Sequence, residues 1–322
     1  MKVGLYSITY LGVWYQGRAL TPAEVVERAV SLGYDGVEID GKRPHGNPMD
    51  WSANDRAAFR DLCAARGIEI VGVASNNDFA SLVPEHREAQ LLMVREQIGL
   101  CRDLGGKVVR LFFAWPGVTI DETGLASYEV ARPLWNHISQ FSTRQQKWVW
   151  VRESLKEAAM MAADAGITVA LQNHTPLLRH YRDMLDMIGD VDMPSLRACL
   201  DVPILERQDN EYVRQAVMDT GKLQVHSHFG GEFRRGEDGS VRQHIFDFGR
   251  SRTNYVEFIR ALRETGYDGY FCYEFCHPSV AGSHKPADLD YIDEQARLAR
   301  DYLRDLLIAE NAYTGARAAA AH

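Results

Sequence analysis

The strongest constraint on the fold of this chain is a phrase that it repeats. A glycine, a short gap and a β-branched run occur as Gly33-Tyr34-Asp35-Gly36-Val37-Glu38-Ile39 and as Gly67-Ile68-Glu69-Ile70-Val71-Gly72-Val73. They return as Gly106-Lys107-Val108-Val109-Arg110-Leu111, Gly166-Ile167-Thr168-Val169-Ala170-Leu171 and Gly266-Tyr267-Asp268-Gly269-Tyr270-Phe271-Cys272. A glycine just past a helix takes the left-handed conformation that stops it. The apolar run that follows suits a strand buried on both faces.

Helical patterns fill the gaps. Thr21-Pro22-Ala23-Glu24 reads as a capping box with proline at the first helical position, followed by Val25, Val26, Ala29, Val30 and Leu32 at helical spacing. Further helices are predicted from Ser52 to Ala65, from Pro84 to Leu104, over 144–165, before Leu196 and Lys222, from Thr253 to Thr265 and from Pro286 to Glu310. Strands are predicted near 2–8, 35–40, 68–74, 107–113, 167–173, 196–201, 222–229 and 269–275. Strands alternating with helices make a parallel sheet. Eight such units close most simply into a single (β/α)8 TIM barrel, with an open doubly wound sheet as the rival. No Pro/Gly/Ser-rich linker divides the chain, so one catalytic domain is expected over 1–311. The Ala-rich tail, 312–322, is expected to be flexible. Two long insertions, 114–142 and 230–250, fall on the C-terminal side of strands, where barrel enzymes build their sites.

Composition narrows the function classes. With 36 Lys+Arg against 44 Asp+Glu, the net charge of −8 gives no general attraction to phosphate backbones. No run of about 18 apolar residues is present to span a membrane. The N-terminus reads as a strand rather than a signal peptide. The five cysteines show no paired spacing and read as reduced, buried thiols. A cytoplasmic protein is expected.

Four consecutive strands end in chemistry-bearing residues: Gln172-Asn173-His174, Leu200-Asp201, His226-Ser227-His228 and Tyr273-Glu274. Side chains alternate along a strand, so Gln172 and His174 share a face, as do His226 and His228. Adjacent barrel strands would gather Gln172, Asp201, His228 and Glu274 around one point. Two carboxylates, an imidazole and an amide oxygen suit a divalent cation. Mn²⁺ is the first choice, with Mg²⁺, Co²⁺ and Zn²⁺ as alternatives. Trp14-Tyr15, Phe112-Phe113, Trp115 and Phe229 lie near strand ends and could wall a sugar ring or an aryl group.

The pattern resembles the xylose isomerase-like barrel superfamily over essentially the whole chain. That superfamily includes sugar phosphate isomerases/epimerases, ketose 3-epimerases, inosose dehydratases, the α-subunits of C-glycoside deglycosidases and AP endonucleases. The resemblance implies a metal held by residues of strands five to eight, onto which Gln172, Asp201, His228 and Glu274 fall. It implies a substrate-binding role for Arg234, six residues after His228, and for the Arg43-Pro44-His45 loop. Three departures stand out. Gln172 replaces a carboxylate, Ile204 lies where many members have a histidine, and Gly231 lies where many have an acid, with Glu232 beside it.

The chemistry implied is proton removal beside the carbonyl of a sugar or keto-sugar, through a metal-stabilised enediolate. Glu274 and His174 are the candidate acid–base residues. His226, Arg234, His45, Trp115 and Trp14 are the candidate substrate contacts. A lyase of the same superfamily is the alternative: a deglycosidase α-subunit acting on 3-oxo-glycosides, or an inosose-type dehydratase. A non-catalytic sugar-binding barrel is the rival outside enzymology. The acidic balance argues against the DNA-acting branch. The expected partners are a small-molecule sugar or glycoside, a second copy of the chain in a homo-oligomer, and a small second subunit in the deglycosidase case.

Overall fold

The computed structural model describes residues 1–245, 252–278 and 286–315. Eight strands form a closed parallel barrel. They are β1 Lys2–Tyr6, β2 Gly36–Asp40, β3 Glu69–Ala74, β4 Val108–Leu111, β5 Thr168–Gln172, β6 Leu196–Cys199, β7 Gln224–Gly230 and β8 Tyr270–Glu274. Each pairs with its sequence neighbours, and β1 closes the ring on β8 with Val3 opposite Phe271. The fold is the single (β/α)8 barrel that the repeated phrase predicts.

The main helices are α1 Pro22–Leu32, α2 Ala53–Ala65, α3 Pro84–Leu104, α4 Tyr128–Ser139, α5 Arg144–Ala165, α6 Tyr181–Val191, α7 Asn210–Thr220, α8 Tyr255–Thr265 and α9 Leu289–Ala309. Reciprocal capping boxes start α1 at Thr21, α2 at Ser52 and α5 at Thr143. Gly33, Gly105, Gly166 and Gly266 end α1, α3, α5 and α8 in the left-handed conformation. One residue of the expected phrase shifts, since Gly105 rather than Gly106 is the stop.

Strand alternation divides the apolar residues. Val37, Ile39, Val109, Leu111, Val169, Leu171 and Phe271 face outward and share one continuous core with the helices. Burying each such side chain contributes about 1.5–3 kcal/mol. The lumen holds a separate small cluster that includes Tyr6, Val71, Ala74, Tyr270 and Cys272. Gly36 makes room for it: a Cβ there would sit 2.8 Å from the Tyr270 ring and 2.9 Å from Val71. The β2–β3 register jumps, so that Val37 faces Ile70 while Glu38 faces Gly72. A Cβ at Gly72 would lie 2.0 Å from the Val108 carbonyl oxygen, so glycine is required at this irregularity.

The 114–142 insertion folds as a short hairpin, Thr119–Ile120 with Ala126–Ser127, followed by α4. The 230–250 insertion carries a hairpin of Glu232–Arg235 with Val241–Ile245, and residues 246–250 lie outside the described ones. Ala312 is buried, the Met1 ammonium donates to its carbonyl, and the Thr314 N–H bonds back to the Met1 carbonyl. Residues 316–322 lie outside the described residues. No helix among the described residues is long and apolar enough to cross a membrane.

Candidate active site

The C-terminal ends of the strands place a charged cluster in the lumen. Asp201, just past β6, is its hub. Its Oδ1 accepts from the His228 backbone N–H at 2.8 Å and from the Ser227 hydroxyl at 3.2 Å. Its Oδ2 lies 3.0 Å from His228 Nδ1 and accepts from the Gln172 amide. Asn173 fixes the backbone: its Oδ1 accepts the Asp201 N–H at 2.8 Å, and its Nδ2 donates to the Asp201 carbonyl at 3.2 Å.

The other ring nitrogen of His228 reaches Glu38 Oε2 at 2.9 Å, and His226 Nε2 lies 3.1 Å from the same oxygen. Glu38, His226, His228 and Asp201 are all buried. Burial alone would raise the Glu38 and Asp201 carboxyls. The imidazoles beside them win, holding Asp201 below and Glu38 well below the usual range. Burial would likewise lower His228, but Glu38 and Asp201 lift it well above the ordinary histidine value.

Glu274 closes the arc at the end of β8. Desolvation pushes its carboxyl up to about 7, with Asp201 and Glu38 adding to the shift and His228 and Arg110 opposing it. A carboxyl poised there can give or take a proton near neutral pH. His174 behaves differently from the sequence expectation of an ordinary imidazole. Packed edge-on against Phe112 and Trp115, with ring centroids 4.9 and 5.1 Å away, it is lowered to about 4 by burial. Its Nδ1 lies 2.5 Å from the Thr175 carbonyl oxygen. At neutral pH it is therefore an uncharged ring with Nδ1–H donating.

Above this cluster lies a small pocket, a cavity of about 30 Å³. Gln172, His174, Glu274 and Arg110 face it together with Trp14 and Trp115. Trp14 stacks on Tyr128 at 5.5 Å and Trp115 on Phe112 at 5.0 Å. The remaining expected aromatic walls do not belong to it. Phe113 packs against Trp148, and Phe229 against Tyr255 and Tyr273, in the core outside the barrel. Neighbours in sequence point to opposite faces, so only one of each pair reaches the pocket.

The donor set fits a divalent cation. Gln172 Oε1 is buried without a partner, on an amide whose Nε2 donates to Asp201 and lies 3.4 Å from His228 Nδ1. Oxygen and nitrogen donors of this kind suit Mn²⁺, Mg²⁺ or Co²⁺. Glu38 on the far ring nitrogen is the carboxylate that orients a ligating histidine. Cys199 and Cys272 stand closer than the sequence suggested. Cys199 Sγ lies 3.5 Å from Asp201 Oδ1, and Cys272 groups with Glu38 and His226. Both precede a site residue by two positions, so both point into the same lumen one layer deeper. Burial keeps both thiols protonated.

The xylose isomerase-like TIM barrel model matches residues 26–305. The chain belongs to that family. A curated relative is fructoselysine 3-epimerase of Shigella flexneri, 24% identical over 282 residues that cover 84% of this chain and 88% of that one. Among solved structures, D-psicose 3-epimerase from Clostridium cellulolyticum H10 superposes with a TM-score of 0.68 at 20% identity, covering 95% of this chain and 99% of the other. The 3-keto-D-glucoside 4-epimerase of E. coli gives 0.64 at 18% identity, covering 93% and 99%.

Within this member of the xylose isomerase-like barrels, two expected substrate contacts lie elsewhere. Arg234 sits exposed on the hairpin after β7 and does not line the pocket. The hairpin instead turns Phe233 and Glu232 inward, and Glu232 is taken by His277 at 3.0 Å and by Tyr291. His45 is buried with Nε2 2.9 Å from the Leu20 carbonyl oxygen, and it lines a separate surface groove with Trp51 and Phe59. Arg43 pairs with Asp50 at the surface. His226 lies beneath the pocket, against Glu38.

Three lumen residues, Glu38, Arg110 and Tyr6, are not among the site candidates read from the sequence, where they stand only as strand residues. The signal for them is a charge inside an apolar run. Glu38 and Asp40 alternate with Val37 and Ile39, and Arg110 interrupts Val108-Val109 and Leu111.

Proposed function

We propose that the chain is a divalent-metal-dependent enzyme of the sugar isomerase/epimerase type. It would move a proton on the carbon next to the carbonyl of a keto-sugar. The observation that carries this reading is the contact of Gln172, Asp201 and His228 beside a pocket that Gln172 and Glu274 line, with Glu274 poised near neutrality.

Gln172, Asp201, His228 and Glu274 would hold the cation. When bound, it supplies Lewis acidity to neighbouring substrate oxygens, which stabilises enediolate charge. Glu274 would remove the proton, since its carboxyl lines the pocket and a neighbouring cation favours its ionised form. Neutral His174 lines the pocket and would position the substrate. Trp14, Trp115 and Phe112 cover the apolar faces of the sugar and exclude water.

A lyase variant of the same proton removal is favoured by one observation. By the resemblance to ketose 3-epimerases, the amide of Gln172 stands where a second carboxylate would complete a two-base site. Deglycosidation of a 3-oxo-glycoside, or an inosose-type dehydration, needs one base and a departing group.

The test is a panel of ketoses, inososes and 3-keto-glycosides in D₂O, with Mn²⁺, Mg²⁺, Co²⁺ or Zn²⁺ added. Deuterium entering beside the carbonyl, abolished by chelator and restored by metal, is expected. Exchange that chelator leaves untouched would overturn the metal role. Absence of exchange with every class would overturn the enzyme reading and leave the sugar-binding barrel.

A further inference from the structure

Helix α4 shows solvent an apolar face that the rest of the surface does not match. Half of the large apolar side chains exposed among the described residues lie between 120 and 141: Ile120, Val130, Leu134, Ile138 and Phe141. The others stand singly on separate elements, as is normal for a surface. Val130, Leu134 and Ile138 recur every four residues, so they form one stripe along the helix. Phe141 lies just past its C-terminal end, edge-on to His137 with ring centroids 5.8 Å apart. Ile120 belongs to the short hairpin that packs against α4.

The helix cannot roll to bury this stripe, because its other face is tied to the barrel. Ala131 is buried, the Tyr128 hydroxyl donates to the Cys276 carbonyl at 2.8 Å, and Trp135 Nε1 donates to Asp78 at 2.9 Å. The Lys147 ammonium holds the C-terminal end, donating to the Ser139 and Ser142 carbonyls at 2.6 and 2.7 Å. The outward stripe is thus fixed by polar bonds on the inward side.

The charges beside the stripe point to what covers it. Glu129 and His137 lie eight residues apart, just over two turns, on the same flank of it. The Glu129 carboxylate has no hydrogen bond or ion pair among the described residues, and His137 is bonded through Nδ1 to Gln140 at 3.0 Å. A two-fold axis crossing α4 at right angles near Leu134 lays the helix antiparallel on its own copy. It keeps each flank on its own side and reverses the direction. Glu129 then comes opposite the partner's His137, and the stripe meets itself with Leu134 at its centre.

We propose that α4 is a dimer interface, a self-complementary contact with a second copy of this chain about a two-fold axis near Leu134. The stripe, Phe141 and Ile120 form its apolar core, and the two Glu129–His137 pairs its polar rim. Nothing in it depends on the proposed reaction.

Analytical ultracentrifugation of the full chain from about 1 to 100 µM should show a monomer–dimer equilibrium. Leu134→Asp should weaken the dimer by about thirtyfold or more, as loss of a central apolar anchor does. Leu134 is 56% exposed within the chain, so the circular dichroism of this variant should match the wild type. Met160→Asp, on α5 and 53% exposed, should leave the dimer as it is. Glu129→Arg should weaken the dimer by about threefold, and adding His137→Glu to the same chain should restore it. A wild type that stays monomeric at the highest concentration would overturn the proposal and leave the face to a partner of another sequence. A dimer that Leu134→Asp leaves as tight as before, or a double variant no tighter than Glu129→Arg alone, would also overturn it.

Discussion

The two ends of the barrel lumen are built from the same strands by the same alternation, yet they are filled in opposite ways. At the N-terminal end, Tyr270 and Val71 pack into space that Gly36 leaves open, with Cys272 above them. At the C-terminal end, Glu38, Asp201, His228 and Arg110 are buried with hydrogen bonds to one another or to the wall. The first is a plug whose value is stability. The second buries charge at a cost that packing cannot return, which is where function is expected. Substitutions at the two ends should therefore separate activity from folding.

The largest effect should come from Glu274→Gln. It removes the group poised near neutrality and should cut kcat by about a thousandfold, with the melting temperature nearly unchanged. A variant that keeps its activity would break the assignment of chemistry to this end. Gly36→Ala at the other end should do the reverse. Its Cβ would press on Tyr270 and Val71, costing about 2 kcal/mol by urea denaturation while leaving cation affinity intact.

Asn173→Ala sharpens the comparison within the charged end. It frees the Asp201 backbone without removing a ligand, so cation affinity measured by titration should fall about tenfold or more. An unchanged affinity would mean that Asp201 is held by its other hydrogen bonds alone.

The smallest effect concerns His45, outside the lumen. Burial holds its pKa below the ordinary 6.5, against Asp40 and its Leu20 bond, which raise it. As pH falls the unfolded chain takes the proton first. The contribution to stability is therefore present above pH 6.5 and is lost as pH drops through that value toward the lower folded one. His45→Gln should melt with a flatter pH dependence between pH 7 and 5. Identical profiles would place the acid sensitivity at His174 instead, which burial lowers to about 4.

Much of this was legible beforehand, and unevenly. The helices from Pro84 to Leu104 and over 144–165 match α3 and α5 end to end, because their proline, capping box and C-terminal glycines are local signals. The gathering of Gln172, Asp201, His228 and Glu274 followed from consecutive strand ends, where nearest neighbours in the barrel are also neighbours in the chain. Arg234 and His45 did not follow, because each depends on which way a loop turns, and neither lines the pocket.

The sequence by itself determined the alternation: eight strand–helix units, which face of each strand is apolar, and which side chains share a face. Those are properties of a few consecutive residues and their backbone geometry. Only the tertiary structure decided what meets across the lumen. Glu38 reaches His228 from 190 positions away, and Arg110 reaches Tyr6 from 104. Such pairings depend on the stagger at which the ring closes and on the β2–β3 register jump at Gly72, and no local pattern encodes either. The carboxyl of Glu274 owes its position near 7 to that closure, since burial and the charges on β2, β4, β6 and β7 set it together.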